Sequence, residues 1–169
     1  PALAQVTSAT RTTELIDTFC QVKPLPEEGA LSDADRAGNK ATFAKLDALF
    51  DFDTLTSTAI EPHKAQLTAA QLTEYSTKFR EMIRLMAFPN AGQAFGNAEW
   101  SIKQPEEGDE DLGPNDTTVE LSWEETDLEL EITFHWSDAS GTLRLVDVSF
   151  DGDSLIKDYQ NQFGRILNK

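Results

Sequence analysis

The sequence predicts an α+β domain: helices packed on one face of a curved, mainly antiparallel sheet of four strands, with a closing C-terminal helix and a hydrophobic cleft between the layers. Three observations carry the architecture. Before Ala98 the apolar residues recur three and four apart, the period of a helix. From Ala98 they recur two apart, the period of a half-buried strand. After Gly152 the helical period returns. A chain of 169 residues has the size of one domain, and neither an internal repeat nor a linker divides it. Residues 1–169 are therefore expected to form a single domain, with residues 1–8 as a flexible N-terminus.

In the helical half, Leu15, Ile16, Phe19 and Val22 make a first amphipathic stripe, stopped before Pro24 and Pro26. Ser32, with Asp35 three residues on, opens a second helix whose inward face is Phe43, Leu46 and Phe50. The Phe50-Asp51-Phe52-Asp53 junction breaks that helix, and Asp53 is expected to cap a short third one ending near Ile60, before Pro62. Thr68-Ala69-Ala70-Gln71 is a capping box for the clearest helix, with Leu72, Tyr75, Phe79, Met82, Ile83 and Met86 on one stripe and Pro89 as its expected end.

The strands follow: Trp100 and Ile102; Val119, Leu121 and Trp123; Leu128, Leu130, Ile132, Phe134 and Trp136; then Val146, Val148 and Phe150. Asp138-Ala139-Ser140-Gly141 reads as a hairpin turn, and the phase slip between Leu145 and Val146 predicts a bulge. Gly152 permits a tight turn, with Asp153 or Ser154 as N-cap of the last helix, whose stripe is Leu155, Ile156, Tyr159, Phe163, Ile166 and Leu167.

Composition excludes several function classes. The formal net charge of −16 repels phosphate-rich partners, so no nucleic acid is expected, nor an anionic membrane surface. The acidity fits either a basic partner protein or a solubility adaptation to a saline habitat, and the second is preferred. No stretch approaches the ~18 apolar residues of a membrane span. Cys20 is alone, so it forms no internal disulfide and reads as a small core residue on an apolar helix face. Ala2-Leu3-Ala4 before Gln5 has the small-x-small pattern at which signal peptidase cuts, without the apolar run that precedes such sites. Asp17-Thr18-Phe19 before Cys20 is not a lipobox.

Candidate chemistry is sparse. Glu106, Glu107, Asp109, Glu110, Asp111, Asp116, Glu124, Glu125 and Asp127 crowd the predicted turns, but their spacing lacks the third ligand and closing Glu of a calcium loop, so a solvated hairpin is the reading. Glu129 and Glu131 face water opposite Leu128, Leu130 and Ile132 and discourage edge-to-edge association. His63 and His135 are the only histidines; no ligand spacing supports zinc, and His135 reads as a surface or rim residue. No nucleophile elbow, phosphate-cradling loop or Cys-His pair is present, so no catalytic residue, cofactor or metal is assigned. What remains is apolar surface: Phe52, Leu55, Phe79, Met82, Ile83, Met86, Trp100, Trp123, Phe134, Trp136, Phe150 and Tyr159. These fit a filled core, or two walls holding acyl chains at ~0.8 kcal/mol per buried methylene. A wall and a core use the same residues.

Two stretches resemble a known family. Val146-Asp147-Val148, the Gly152-Asp153-Ser154-Leu155 turn, Tyr159 and Gln162-Phe163 are similar to the C-terminal signature of the MlaC, or toluene-tolerance, family. Phe50-Asp51-Phe52 and the Leu67–Phe79 segment, with Thr68, Gln71 and Phe79, are similar to its second signature; the likeness covers about residues 10 to 167. It implies a non-enzymatic periplasmic carrier, expected to be monomeric. Such a carrier ferries phospholipid between an outer-membrane lipoprotein complex and an inner-membrane ABC transporter, in a pathway that maintains outer-membrane lipid asymmetry. The acyl chains would lie between the fourth helix and the sheet, lined by the twelve apolar residues above. Arg80 and Arg84 are candidate phosphate contacts, since guanidinium matches phosphate oxygens, although surface salt bridges explain them equally. Members of the family are often basic, an aromatic is replaced around His63-Lys64, and Pro89 follows Phe88 where the family helix continues. These departures bear on pocket depth. The rivals are a small cone-shaped α+β enzyme of ketosteroid-isomerase-like fold, acting on a hydrophobic small molecule with Asp147 as nearest candidate base, and an interaction module using the acidic face.

Overall fold

The computed structural model describes residues 6–109 and 112–169, so the Ala2-Leu3-Ala4 tripeptide, Glu110 and Asp111 lie outside the described residues. Helix α1 is Ser8–Phe19, opened by Thr7, whose hydroxyl accepts from the Thr10 amide at 3.1 Å. Helix α2, Asp33–Leu49, starts where the Ser-x-x-Asp spacing places it: Ser32 accepts from the Asp35 amide at 3.1 Å. Phe50 then turns extended and forms a parallel bridge to Leu145. That bridge corrects the predicted cap of α3, Phe52–Ile60. Residue 51 becomes the last non-helical position, and Asp51, not Asp53, accepts from the Thr54 amide at 3.0 Å.

A 3₁₀ turn at Glu61–Gln66 leads to α4, Ala69–Met82. Both bonds of the capping box are made, Gln71 N to Thr68 Oγ1 at 3.2 Å and Thr68 N to Gln71 Oε1 at 2.8 Å. Pro89 does not end this helix, contrary to the sequence expectation. The backbone widens into a π-helical turn at Ile83–Ala87 and continues as α5, Phe88–Gly96. Proline lacks an N–H and its ring crowds the carbonyl four residues back; a widened turn relieves both, and Pro89 falls in the first turn of α5, where no donor is needed.

The helix so prolonged crosses α1 closely at Gly92. A Cβ built there would lie 2.5 Å from the Phe19 carbonyl oxygen. Alanine in a helix interior ordinarily gains up to ~1 kcal/mol over glycine, but here it meets backbone that cannot rotate away. Gly92→Ala is expected to lower stability by about 2 kcal/mol in urea unfolding. Gly38→Ala in α2, with nothing within 4 Å of the built Cβ, should raise it by about 0.5–1 kcal/mol.

The sheet has five strands, not the predicted four, all antiparallel and in chain order: β1 Glu99–Ile102, β2 Asp116–Trp123, β3 Leu128–Ser137, β4 Arg144–Phe150 and β5 Asp153–Ser154. The extra strand is a two-residue pair folded onto Ser149 and Phe150 by the Asp151-Gly152 turn, too short to leave a periodicity. His135 faces Asp147 and Trp136 faces Leu145, so Val146 is the extra residue of a bulge, where the phase slip lies. The edges are short or covered. β1 has four residues, and β4 is flanked by β5 and by the Phe50–Leu145 bridge, where the Asp51 amide donates to the Leu145 carbonyl at 2.9 Å.

Ser154 caps the closing helix α6, Leu155–Leu167. Asp147 supports the same end: it accepts from the Val148 amide at 2.7 Å, the Ile156 amide at 3.2 Å and the Ser154 hydroxyl. Asp147→Ala would leave a helix N–H unpaired and remove a carboxylate from the positive end of the helix dipole. A loss of about 1–2 kcal/mol is expected, read as faster hydrogen exchange at residues 155–159.

The core lies between the sheet and the helical layer. Phe88 is completely buried against Phe19, Phe43, Phe50 and Phe52, with ring centroids 5.3–6.4 Å away. Phe95 of α5 reaches the Phe134 ring at 6.3 Å, and the buried Trp136 donates its indole N–H to Thr12 at 3.0 Å, fixing α5 and α1 on the sheet. Helix α4 packs on α3, its Tyr75 hydroxyl donating to the Thr56 carbonyl at 2.9 Å. Cys20 is exposed at the end of α1, not in the core.

Candidate functional site

The pairing register sorts the inner-face residues into rows. Trp136 and Leu145 form the innermost; then Thr117, Phe134 and Val148; then Ile102, Val119, Ile132 and Phe150; then Trp100, Leu121 and Leu130; finally Trp123 and Leu128. Burial follows position across the strands as well as along them: Val119 and Ile132 of the third row and Leu121 of the fourth stay buried, and the half-buried and exposed side chains lie toward the margins. Trp136, Leu145 and Phe134 are buried, Trp100, Trp123 and Leu130 are half-buried, Phe150 is 40% exposed and Leu128 61%. The helices fill the inner end and leave the outer end partly uncovered. An aromatic, apolar surface is thus open on the face that should be a core, while the other face carries Glu99, Glu120, Glu129 and Glu131.

The expected lining residues divide accordingly. Phe52, Leu55, Phe79, Ile83, Phe134 and Trp136 are buried in the core. Met82, Trp100, Trp123 and Tyr159 are half-buried against it, and Phe150 lies at the open end. Met86 is 61% exposed beside Leu85, because the π-helical turn rotates it off the stripe. Helices α4 and α6 are joined by an aromatic cluster: Phe79 meets Tyr159 at 5.0 Å, and Tyr75 meets Phe163 at 5.4 Å. Burial raises the Tyr75 phenol, with Tyr159 adding to the shift; burial and then Asp158 raise Tyr159. Both phenols stay protonated.

Arg80 and Arg84 are held by carboxylates. Arg80 reaches Asp53 at 3.0 Å, Arg84 grips Asp47 through two bonds of 2.6 and 3.0 Å, and both guanidiniums stack on the Phe52 ring at 5.1 and 5.9 Å. The Asp53 side chain is 96% exposed, so a competing anion could displace it at little cost.

Periodicity gives no sign of one constellation on the outer face. His135 is half-buried, with Nε2 2.7 Å from Ser149 Oγ and Nδ1 3.1 Å from Asp116 Oδ2, the atom pairing of a charge relay. Neighbouring strands occupy both sides of Ser149, with Thr133 and Ser154 as its register partners. The three residues tie β2, β3 and β4 together. Asp147, the candidate base of the enzyme reading, has both oxygens engaged at the start of α6. Among the described residues no group of three metal-ligating side chains could hold an ion, and no helix is long and apolar enough to cross a membrane.

Helices on one face of an antiparallel sheet whose inner face keeps half-buried and exposed apolar side chains at its margin make an α+β protein with apolar surface of the kind that hydrophobic ligands occupy. A family profile described as MlaC protein matches residues 27–169, and the chain belongs to that family. Its fold is similar to a solved phospholipid-binding protein from Ralstonia solanacearum in complex with a phospholipid, with a TM-score of 0.65 at 17% identity over 99% of this chain and 88% of that one. No curated protein matches the chain.

Proposed function

We propose that the protein is a periplasmic phospholipid carrier that takes lipid between an outer-membrane lipoprotein complex and an inner-membrane ABC transporter. The acyl tails lie on the open end of the sheet's inner face, against Trp100, Trp123, Leu128, Leu130 and Phe150, with Met82 and Tyr159 on the helical side. The observation that carries this reading is the set of half-buried and exposed apolar side chains, Trp100, Trp123, Leu128, Leu130 and Phe150, left at the margin of the sheet's inner face. Leaving large apolar side chains in water costs about 25 cal/mol per Å², which an acyl chain laid across them recovers. A cleft between the layers forms as the tails part α4 and α6 from the sheet. Arg80 is the first candidate for the headgroup phosphate, exchanging the exposed Asp53 for it; Arg84 is the second. Family membership and the phospholipid in the Ralstonia solanacearum structure support the ligand class.

Organic extraction of the purified protein followed by lipid mass spectrometry tests the reading. Near-stoichiometric phospholipid is expected; a protein that stays empty after exposure to phospholipid vesicles would sink it.

A further inference from the structure

A second apolar surface lies on the opposite side of the core from the sheet. The connection after α1, helix α2 and the start of α5 enclose an open groove of about 820 Å³, within the ~300–1,000 Å³ of small-molecule sites. Leu25, Leu31, Phe43, Leu85 and Pro89 give it an apolar lining. Leu25 is 76% and Leu85 64% exposed, the two most exposed leucines among the described residues of the helical half. The floor is firm, because Phe43 rests on the fully buried Phe88 at 5.7 Å. The π-helical turn at Ile83–Ala87 is what carries Leu85 into the groove, and such turns are frequent at functional sites.

The groove is also where this acidic chain gathers cations. Lys23, Arg36, Lys40 and Arg84 line it, with Asp47 as the only carboxylate in the lining. Arg36 is paired with Asp33 and Arg84 with Asp47. Among the described residues Lys23 and Lys40, like Lys45, Lys64, Arg144, Lys157, Arg165 and Lys169, take part in no ion pair, and of these only Lys23 and Lys40 line the groove. Lys23 is held at the rim by the buried Asn39, whose side chain accepts from the Lys23 amide at 2.8 Å and donates to its carbonyl at 2.9 Å.

We infer that this groove binds a single-chain anionic amphiphile: the hydrocarbon chain lies along Leu25, Phe43 and Leu85, and Lys23 and Lys40 take the anionic head. Charge complementarity selects the anion and the apolar lining selects the chain. A free fatty acid and a lysophospholipid share this chemistry. The groove lies apart from the sheet face, shares only Arg84 with the proposed headgroup contacts, and does not depend on the carrier reading.

The test uses the full chain with three probes in titration calorimetry: palmitate, lysophosphatidylglycerol, and uncharged monopalmitoylglycerol. At least one anionic probe is expected to bind, and which one identifies the source. Lys23→Glu with Lys40→Glu should weaken it at least tenfold, Lys23→Gln with Lys40→Gln by a smaller factor, and neither should move the uncharged probe more than twofold. A diazirine-bearing version of the bound probe should label peptides spanning 23–44 and 84–93. No binding of either anionic probe, affinity indifferent to both lysine pairs, or label absent from those peptides would overturn the inference. Thermal melting of both lysine variants, expected unchanged for exposed side chains, confirms that they fold.

Discussion

Phe88→Ala is expected to be the most damaging single substitution, lowering stability by about 3–5 kcal/mol in urea unfolding. Phe88 is wholly shielded from solvent, and its ring touches Phe19 at the end of α1, Phe43 of α2, Phe50 at the bridge to the sheet and Phe52 of α3. Truncation therefore opens a void walled by four separately positioned rings. None can collapse into it without pulling its own element out of place. Since a domain of this size has roughly 5–15 kcal/mol in total, the variant should be partly unfolded at moderate temperature. Phe88→Leu keeps most of the volume and should cost less than half as much. Equal effects of the two would mean that the rings repack freely and that Phe88 is not their common support.

The second large effect concerns lipid. Leu128→Glu combined with Phe150→Glu should reduce co-purified phospholipid at least tenfold, the equivalent of 1.4 kcal/mol, with unfolding free energy changed by only about 0.5 kcal/mol. The asymmetry follows from their position. Both side chains are well exposed, so protein packing loses little, yet each carboxylate would stand in the path of the tails and have to be desolvated. Glu129→Gln, on the other face of the same strand, should leave the lipid content as it is. Unchanged lipid in the double variant would move the binding surface away from the open end of the sheet.

Some of this was readable from local pattern. Ser32, the Thr68–Gln71 box and the Ser154 end of α6 announce helices because capping chemistry is settled within four residues. The strand alternation assigned Glu129 to water and Phe134 to the inner face, and the phase slip at Val146 gave the bulge. The misses have a common origin in contacts between distant segments. Asp53 lost the capping role because Phe50 bridges to Leu145, far along the chain. Pro89 failed to stop its helix because Phe88 is drawn into the core, and the stability gained there outweighs the cost of a widened turn. Met86 shared a stripe with Phe79 only for an ideal helical pitch, which that turn abandons. Cys20 was exposed by the end of α1 falling one residue short of it.

The sequence by itself determined the kinds of the main elements, their order, the inward and outward faces of the four longer strands, and the likeness to the lipid-binding family. It did so because periodicity and caps depend on neighbours a few residues away. Only the tertiary structure decided which part of the apolar face is core and which is left open, and that Leu25 and Leu85 line one groove with Lys23 and Lys40. Burial is a property of what packs opposite a residue, and nothing in a residue's own neighbourhood in the chain records how far the covering helices extend.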